Sequence, residues 1–315
     1  IVFRQAAAAT GQSVLMSKYR ELFKTHGVKV AQILLTAEDL SSRGSYLHTC
    51  NVLRLLLKMG IVPIINENDV TSVDELIPVT EGFKVNFSDN DFLSALVANA
   101  IRAEMLIILS DVDGLYTTNP RNPKATIIRV VDNIAAELKN ASIDGKSRTG
   151  KGGMQSKIRA AEIATRSGIP VVIANSRREN VIVDILAGKE DVGTYFRPIG
   201  KMPAVKRWIA FGASVKGEIH VNEGAKRAVI DGSSLLAVGV TKVAGQFKVG
   251  DVVSIIGPDN SEFAKGNPNF NSEEINTIKG LQVLEVLKKL GNSRSKEVVA
   301  RKKIHLTAKE REDFC

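Results

Sequence analysis

Three polar runs border short apolar segments in the first half of the chain, and this arrangement limits the fold most strongly. Residues 66–69 (NEND) follow the apolar run 61–65, and Ser110 and Asp111 follow the apolar run 105–109. A short segment that is entirely apolar is typical of a strand buried on both faces. The third run, residues 88–91 (SDND), stands directly before an apolar segment of helical length.

Ligands of open α/β sheets bind beyond the carboxyl ends of the strands and beside helix N-termini, so these three runs are expected to converge on one crevice. Carboxylates and amides there suit a polar substrate, its ammonium group, or a metal that carries phosphates. Asp and Asn are also common in turns and at helix N-caps, which explains any single run equally well. Three runs in this arrangement favour a functional site.

The alternation of apolar strands with amphipathic helices predicts an α/β domain with a parallel sheet and helices on both faces. Predicted elements are helix 12–26, strand 28–36, helix 43–59, strand 61–65, helix 90–102, strand 105–109, helices 134–139 and 155–166, strand 171–174 and helix 181–186. Segment 70–88 is long for a connection and predicts a functional loop or small hairpin.

Short β-like runs broken by glycine replace this alternation after about residue 195, and they predict a small β-barrel. Candidate strands are 217–221, 234–236, 239–243, 251–256 and 298–306. We therefore expect a first domain over 1–202, a barrel over 203–307 and a charged tail over 308–315.

Composition excludes several classes of protein. The 315 residues suit two domains, and the net charge of +9 is spread over both halves, with no compact basic tract before the last twenty residues. Cys50 and Cys315 are the only cysteines, which argues against a disulfide framework and predicts a cytoplasmic protein. No apolar run approaches membrane-spanning length, so no membrane association is expected. The chain opens at Ile1 without Met, which predicts a longer natural protein.

A glycine-rich loop precedes the helix predicted over 155–166. Residues 150–157 (GKGGMQSK) place backbone N–H groups and a helix N-terminus where they can bind phosphate, and Lys157 lies one turn into the helix. The spacing differs from the P-loop consensus, and paired glycines before a helix are more often a plain turn. The functional interpretation depends on Asp91 and Asp111 lying in the same crevice.

The remaining candidates are weaker. The four histidines are scattered without metal-ligand spacing, so no protein metal site is predicted. Cys50 lies on the apolar face of the predicted helix 43–59 and is expected in the core. Trp208 follows Lys206 and Arg207 and could stack on a nucleic-acid base, but an aromatic residue that anchors the barrel is the commoner case.

Several stretches together resemble the amino-acid kinase family with a C-terminal PUA domain, and within that family the members that phosphorylate glutamate. They are IVPIINEND (61–69), SDNDFLSALVA (88–98), LIILSDVDGLYTTNP (106–120), GKGGMQSKIRAAEIA (150–164), KRWIAFGASVKGEIHVNEGA (206–225) and AAAATGQSVLMSKYRELF (6–23). The resemblance implies an α/β parallel-sheet sandwich of the amino-acid kinase type, followed by a PUA-like barrel. It implies transfer of phosphate from ATP, with Mg²⁺, to the side-chain carboxylate of L-glutamate, the first step of proline biosynthesis.

The resemblance also implies roles for individual residues. Asn66, Asp69 and Asn90 would bind glutamate, and Asp91 would hold catalytic lysines in place. Ser110 and Asp111 match nucleotide-binding positions. The phosphate loop would comprise Lys151, Gly152, Gly153, Met154, Gln155, Ser156 and Lys157. Lys157 would stabilise charge in the transition state, because an acyl phosphate forms between two anions and no protein nucleophile is required.

One departure from the family and two alternatives accompany this interpretation. Family members begin with a strand that carries a glycine-rich turn and a catalytic lysine, and then a Ser-Ser-Gly-Ala-like turn that binds glutamate. Neither appears in this chain, so little or no kinase activity of the 315-residue chain is expected. An RNA-binding protein acting through the PUA-like domain is one alternative, but basic and acidic residues are interleaved over 204–307 and favour a regulatory or structural role. Another carboxylate or phosphate kinase of the family is the second. The resemblance further implies a homo-oligomer and regulation by proline.

Overall fold

The computed structural model describes residues 2–71, 90–134, 136–137, 153–200, 202–291 and 295–307, which form two compact units. The first unit holds the described residues up to Met202 except Leu40–Ser45, and the second holds those six residues and the described residues from Pro203 onward. The loop predicted at 70–88 lies almost entirely outside the described residues, as do Lys151 and Gly152 and half of the predicted helix 134–139.

Residues 2–67, most of which belong to the first unit, form three helices and two parallel strands. They are α1 (Val2–Lys24), β1 (Lys29–Leu35), α2 (Ala37–Ser41), α3 (Arg43–Lys58) and β2 (Ile61–Glu67). The strands β1 and β2 pair in parallel along their whole length, from Lys29 opposite Ile61 to Leu35 opposite Glu67. Cys50 on α3 is 2% exposed, which confirms its predicted place in the core.

Helix α1 is longer than predicted and leaves several of its apolar side chains exposed. It begins at Val2 rather than at residue 12, because the alanines of residues 6–9 are the strongest helix formers and extend it. Of its side chains only Met16 is fully buried, while Val14 is 67% exposed and Leu15 and Leu22 are also exposed. Periodicity identifies side chains that share a face, but contact with β1 decides which of them are buried.

A four-stranded mixed sheet forms the rest of the first unit. Its strands are β3 (Leu106–Ser110), β4 (Val130–Val131), β5 (Val171–Asn175) and β6 (Thr194–Phe196), in the spatial order β3-β5-β6-β4. The helices are α4 (Asn90–Ile101), α5 (Met154–Arg166) and α6 (Val181–Leu186). The pairing of β3 with β5 is parallel as predicted, but β6 runs antiparallel to β5, so the sheet is not purely parallel. Helices α4 and α5 pack against each other.

An apolar groove of about 430 Å³ lies beside α4. Pro63 and Ile65 of β2 line one part, Leu93 and Val97 of α4 another, and Leu106 of β3 a third. In the part of the chain that the structure describes, β2 pairs with β1 alone and β3 with β5 alone, so the groove separates two sheets.

The second unit contains a five-stranded mixed sheet, which confirms the predicted change to β-structure. The strands are β7 (Val215–Val221), β8 (Val240–Gly245), β9 (Val252–Ile256), β10 (Glu262–Gly266) and β11 (Ile304–Leu306), in the order β11-β10-β9-β7-β8. The helices are α7 (Ala204–Arg207), α8 (Glu223–Ile230), α9 (Ser272–Ile278) and α10 (Val283–Leu290), and a π-helical turn covers Trp208–Gly212. Phe247, Phe263 and Phe270 are buried in its core.

Two predicted strands of the second unit are wrong: one is not a strand, and the other is shorter than predicted. Residues 234–236 do not form a strand; Leu235 makes an isolated bridge to Val299. The strand predicted at 298–306 is confined to β11, because a 3₁₀ turn occupies Arg301–Lys303. Trp208 is 6% exposed and its Nε1 donates to the carbonyl oxygen of Leu40 at 3.1 Å, so this ring anchors the unit and is not available to stack on a base.

Candidate active site

An ion pair between two helix N-termini forms the centre of the candidate site. Asp91 lies in the first turn of α4, and Lys157 lies in the first turn of α5. Lys157 Nζ is 3.0 Å from Asp91 Oδ2, and the side chains are 13% and 16% exposed, respectively. The packing of α4 against α5 joins residues that lie 66 positions apart in the chain. A largely desolvated ammonium group is thereby fixed in place.

Ser156 completes this centre. Its hydroxyl Oγ lies 2.7 Å from Asp91 Oδ2 and 2.8 Å from the carbonyl oxygen of Gly153. Gly153 is the N-cap of α5 and has extended backbone angles, and no side chain caps the helix there. The first-turn N–H groups and the helix dipole therefore attract an anion beside the Lys157 ammonium.

A second contact stabilises the packing of the two helices. The guanidinium carbon of Arg159 lies 5.3 Å from the centroid of the Phe92 ring, a cation–π geometry. Phe92 follows Asp91 on α4, and Arg159 lies two residues beyond Lys157 on α5. The cation–π contact and the ion pair therefore both hold the N-terminus of α4 against the N-terminus of α5.

The carboxyl end of β3 forms a second part of the site. Ser110 is buried, its carbonyl oxygen accepts from Ser176 N at 2.8 Å, and its hydroxyl donates to Asp111 Oδ1 at 3.2 Å. The Asp111 side chain is exposed. In the turn that follows, Asp113 accepts from Asn175 Nδ2 at 2.8 Å and from the Tyr116 hydroxyl at 3.0 Å. Desolvation, followed by the hydrogen bond to Asp113, raises the pKa of Tyr116.

A polar cleft of about 350 Å³ lies at this edge of the sheet. Its lining includes Asp113, Tyr116, Arg129, Asn175 and Arg178. Arg178 forms ion pairs of 3.3 and 3.1 Å with Asp184 and Asp191, and Arg129 donates to the Asp191 carbonyl oxygen at 2.9 Å.

Sequence reasoning missed most residues of this cleft. Arg129 and Arg178 belong to no motif, and nothing local marks them. The position of Asn175 could have identified it as a candidate site residue, because it directly follows the apolar run 171–174 just as Ser110 follows the apolar run 105–109. The rule that places ligands beyond strand ends applies equally to both positions.

The residues predicted to bind glutamate lie around the end of β2 and the start of α4. Asn66 Nδ2 donates to Gln12 Oε1 of α1 at 3.2 Å, and Gln12 Nε2 is buried with no partner among the described residues. Asp69 is exposed in the turn after β2, and Asn90 is exposed at the first position of α4. No hydrogen bond links Asn66 or Asp69 to the Asp91–Lys157 pair within the described ranges, so their convergence on that pair stays a prediction.

Within the ranges that the structure describes, no cluster of three His, Cys, Asp or Glu side chains could hold a metal ion. Mg²⁺ commonly keeps several waters and binds through one or two carboxylates together with substrate phosphates. The exposed carboxylate of Asp111 is the group that could contribute. In the same ranges no helix combines the length and apolar character needed to cross a membrane.

The fold and the site define a class of protein. Residues 1–175 match the amino acid kinase family, and residues 217–290 match the PUA domain. The chain belongs to the amino acid kinase family and has a PUA domain after its kinase domain, which confirms the resemblance carried by its motifs.

Named relatives cover nearly the whole chain. It is 43% identical over 301 residues to the protein called Glutamate 5-kinase of Thermoanaerobacter sp. (strain X514), which is 95% of this chain and 78% of that one. It is 45% identical over 308 residues to the Glutamate 5-kinase of Methanosarcina barkeri, or 96% of this chain and 77% of that one. A solved isopentenyl phosphate kinase is 20% identical over 58% of this chain and 66% of that one, with a TM-score of 0.38.

Proposed function

We propose that this protein transfers the γ-phosphoryl group of ATP to the side-chain carboxylate of L-glutamate and forms glutamyl 5-phosphate, as the first step of proline biosynthesis. The observation that supports phosphoryl transfer most directly is the contact of Lys157 with Asp91 at the N-termini of α5 and α4. The extensive identity to proteins named glutamate 5-kinase supports the choice of acceptor.

The reaction brings two anions together, so its barrier is mainly electrostatic. A carboxylate oxygen of glutamate attacks the γ-phosphorus while the bond to the β-phosphate oxygen breaks and ADP leaves. Lys157, held by Asp91, and the N-terminus of α5 stabilise negative charge on the transferring group. Mg²⁺ would neutralise phosphate oxygens, with Asp111 as a ligand from the chain.

The nucleotide is assigned to the carboxyl edge of β3 and β5. Ser110 and Asp111 end β3, and the polar cleft beside Asp113 continues that edge towards Arg129 and Arg178. Gly153, Met154, Gln155 and Ser156 begin the helix that would receive the phosphates. Lys151 and Gly152 remain predicted members of the same loop.

The glutamate site is assigned to Asn66, Asp69 and Asn90. Amide and carboxylate oxygens at the end of β2 suit the ammonium group of an amino acid, and the acceptor carboxylate would face Lys157.

The kinase domain would cover 1–202 and the PUA-like domain 203–307, with a charged tail over 308–315. The same proposal includes a homo-oligomer, regulation by proline and a cytoplasmic location. It does not favour RNA binding by the PUA-like domain.

A panel of acceptors tests the proposal. The chain is incubated with [γ-³²P]ATP, Mg²⁺ and hydroxylamine, which traps acyl phosphates as hydroxamates, together with L-glutamate, D-glutamate, N-acetyl-L-glutamate, L-aspartate or UMP. We expect L-glutamate to give the highest yield of hydroxamate among the carboxylate acceptors and UMP to give no ³²P-labelled UDP. The ranking of acceptors, rather than the absolute rate, is decisive: preference for any other compound would overturn the assignment.

A further inference from the structure

We propose that Ser156 is a positioning residue of the phosphoryl-transfer centre, whose hydroxyl fixes the Asp91 carboxylate in the orientation that binds Lys157. This inference deepens the function proposed above and rests on it. It differs from the sequence interpretation of Ser156 as a phosphate-binding side chain.

Both donors act on the same oxygen of Asp91. Ser156 Oγ and Lys157 Nζ lie 2.7 and 3.0 Å from Asp91 Oδ2, and they come from consecutive residues of α5. A carboxylate turns easily about its last torsion, and a lysine side chain is long and flexible. A single ion pair would leave the carboxylate free to rotate, whereas a second donor from the short side chain of Ser156 fixes it relative to the backbone of α5.

The single proton of the hydroxyl decides what Ser156 can do. Two acceptors are within reach, Asp91 Oδ2 at 2.7 Å and the carbonyl oxygen of Gly153 at 2.8 Å. A hydrogen bond to a charged acceptor is roughly twice as strong as one to a neutral acceptor, so the proton is directed at Asp91. The backbone N–H of Ser156 already donates to Gly153 O at 3.0 Å. Both donors of this residue are therefore used inside the protein rather than on phosphate.

Ser94 provides a matched control on the opposing helix. Its hydroxyl donates to the backbone carbonyl oxygen of Asp91 at 2.6 Å and makes no hydrogen bond to the Asp91 carboxylate in the described structure. Ser94→Ala thus removes a hydroxyl that contacts the same residue without changing the donors on Oδ2.

The test compares Ser156→Ala, Ser156→Thr and Ser94→Ala with the unchanged chain, by steady-state kinetics with ATP and L-glutamate both varied. Loss of one charge-assisted hydrogen bond should lower kcat about 10-fold in Ser156→Ala and change KM for ATP less than about 3-fold. Ser156→Thr keeps a hydroxyl and should stay within about 2-fold of the unchanged chain, as should Ser94→Ala. Melting temperatures of all variants separate a loss of folding from a loss of positioning.

Nuclear magnetic resonance of the Lys157 ammonium provides a readout independent of turnover. The protein is labelled with ¹⁵N-lysine, and the Lys157→Arg variant identifies the Lys157 Nζ signal. Ser156→Ala should broaden this signal, and Ser94→Ala should not. An unchanged Lys157 signal together with unchanged kcat would overturn the inference, and so would a raised KM for ATP at constant kcat, which identifies a phosphate ligand. If L-glutamate is not phosphorylated but the signal responds as expected, the proposed function fails and the positioning role stands.

Discussion

At the scale of single residues, Lys157 is expected to act on the rate of the reaction. By the proposed function, its ammonium lies beside the helix end where charge would move as the γ-phosphoryl group leaves ATP. Lys157→Ala should therefore lower kcat by about 10²–10³-fold, with a smaller effect on KM for glutamate. Steady-state kinetics measures both constants. Lys279→Ala is the control, because that exposed lysine donates to Asn276 Oδ1 within the second unit, to which no substrate is assigned. A Lys157→Ala enzyme with unchanged kcat would remove the phosphate-loop assignment.

Asp69 is expected to act on substrate binding instead. By its assignment it meets the glutamate ammonium, an interaction that exists both before and during transfer, so Asp69→Ala should mainly raise KM for glutamate. The measurement is KM for glutamate at saturating ATP. Asp132→Ala serves as the control, since Asp132 is an exposed carboxylate whose partner is Arg197. If KM for glutamate did not change in Asp69→Ala, Asp69 would not belong to the substrate site.

At the scale of elements, the turn after β3 depends on Gly114. Its φ of +153° favours glycine, and a Cβ there would lie 2.5 Å from Thr194 Oγ1, which accepts from Leu115 N at 2.8 Å. Gly114→Ala should therefore lower the free energy of unfolding by about 1–3 kcal/mol. Urea denaturation measures this change. Gly11→Ala on α1 is the control, because nothing lies within 4 Å of its Cβ position and alanine stabilises a helix interior. Equal stability of the two variants would contradict the argument.

The turn between β9 and β10 holds a carboxylate with a low pKa. The Ser261 hydroxyl, then the Ser261 N–H and Lys226, lower the pKa of Asp259 from 3.8 to about 2. Because the folded pKa is depressed, the stabilisation is complete above the unfolded value and disappears as the pH falls through about 2. Ser261→Ala should raise the pKa of Asp259, and Ser261→Thr should not, in a titration followed by carboxyl ¹³C resonances. The same pKa in both variants would assign the shift to other groups.

At the scale of the whole molecule, the second unit includes residues that are distant in sequence. Trp208 is the only tryptophan of the chain, and its Nε1 donates to Leu40 of the segment Leu40–Ser45. A separately produced chain of residues 203–307 would lack that segment. Its tryptophan emission should shift to longer wavelength while its far-ultraviolet circular dichroism keeps the signal of the five-stranded sheet. Unchanged emission would show that Leu40–Ser45 is not needed to bury the ring.

Local sequence patterns predicted the elements that carry the site more accurately than the surfaces that they bury. The apolar runs at 61–65, 105–109 and 171–174 all became strands, but only β5 is buried along most of its length, since β2 is half-buried throughout and Leu109 of β3 is exposed. The burial of α1 does not follow from its own sequence either, because the apolar side chain of Val14 is 67% exposed. A continuous apolar run therefore identifies a strand, whereas the burial of a strand face or of a surface helix depends on what packs against it.

The sequence by itself determined the family, the strand ends with their polar residues, and the glycine-capped helix that presents Lys157. Only the tertiary structure decided which of these groups touch. The Ser156 hydroxyl contacts Asp91 across 65 residues, and Arg129 and Arg178 meet at one cleft from separate segments. Hydrophobic periodicity and turn chemistry are properties of neighbouring residues and can be read locally. The direction of a hydroxyl proton or a guanidinium depends on acceptors that helix packing and sheet register bring close, and one sequence does not contain those distances.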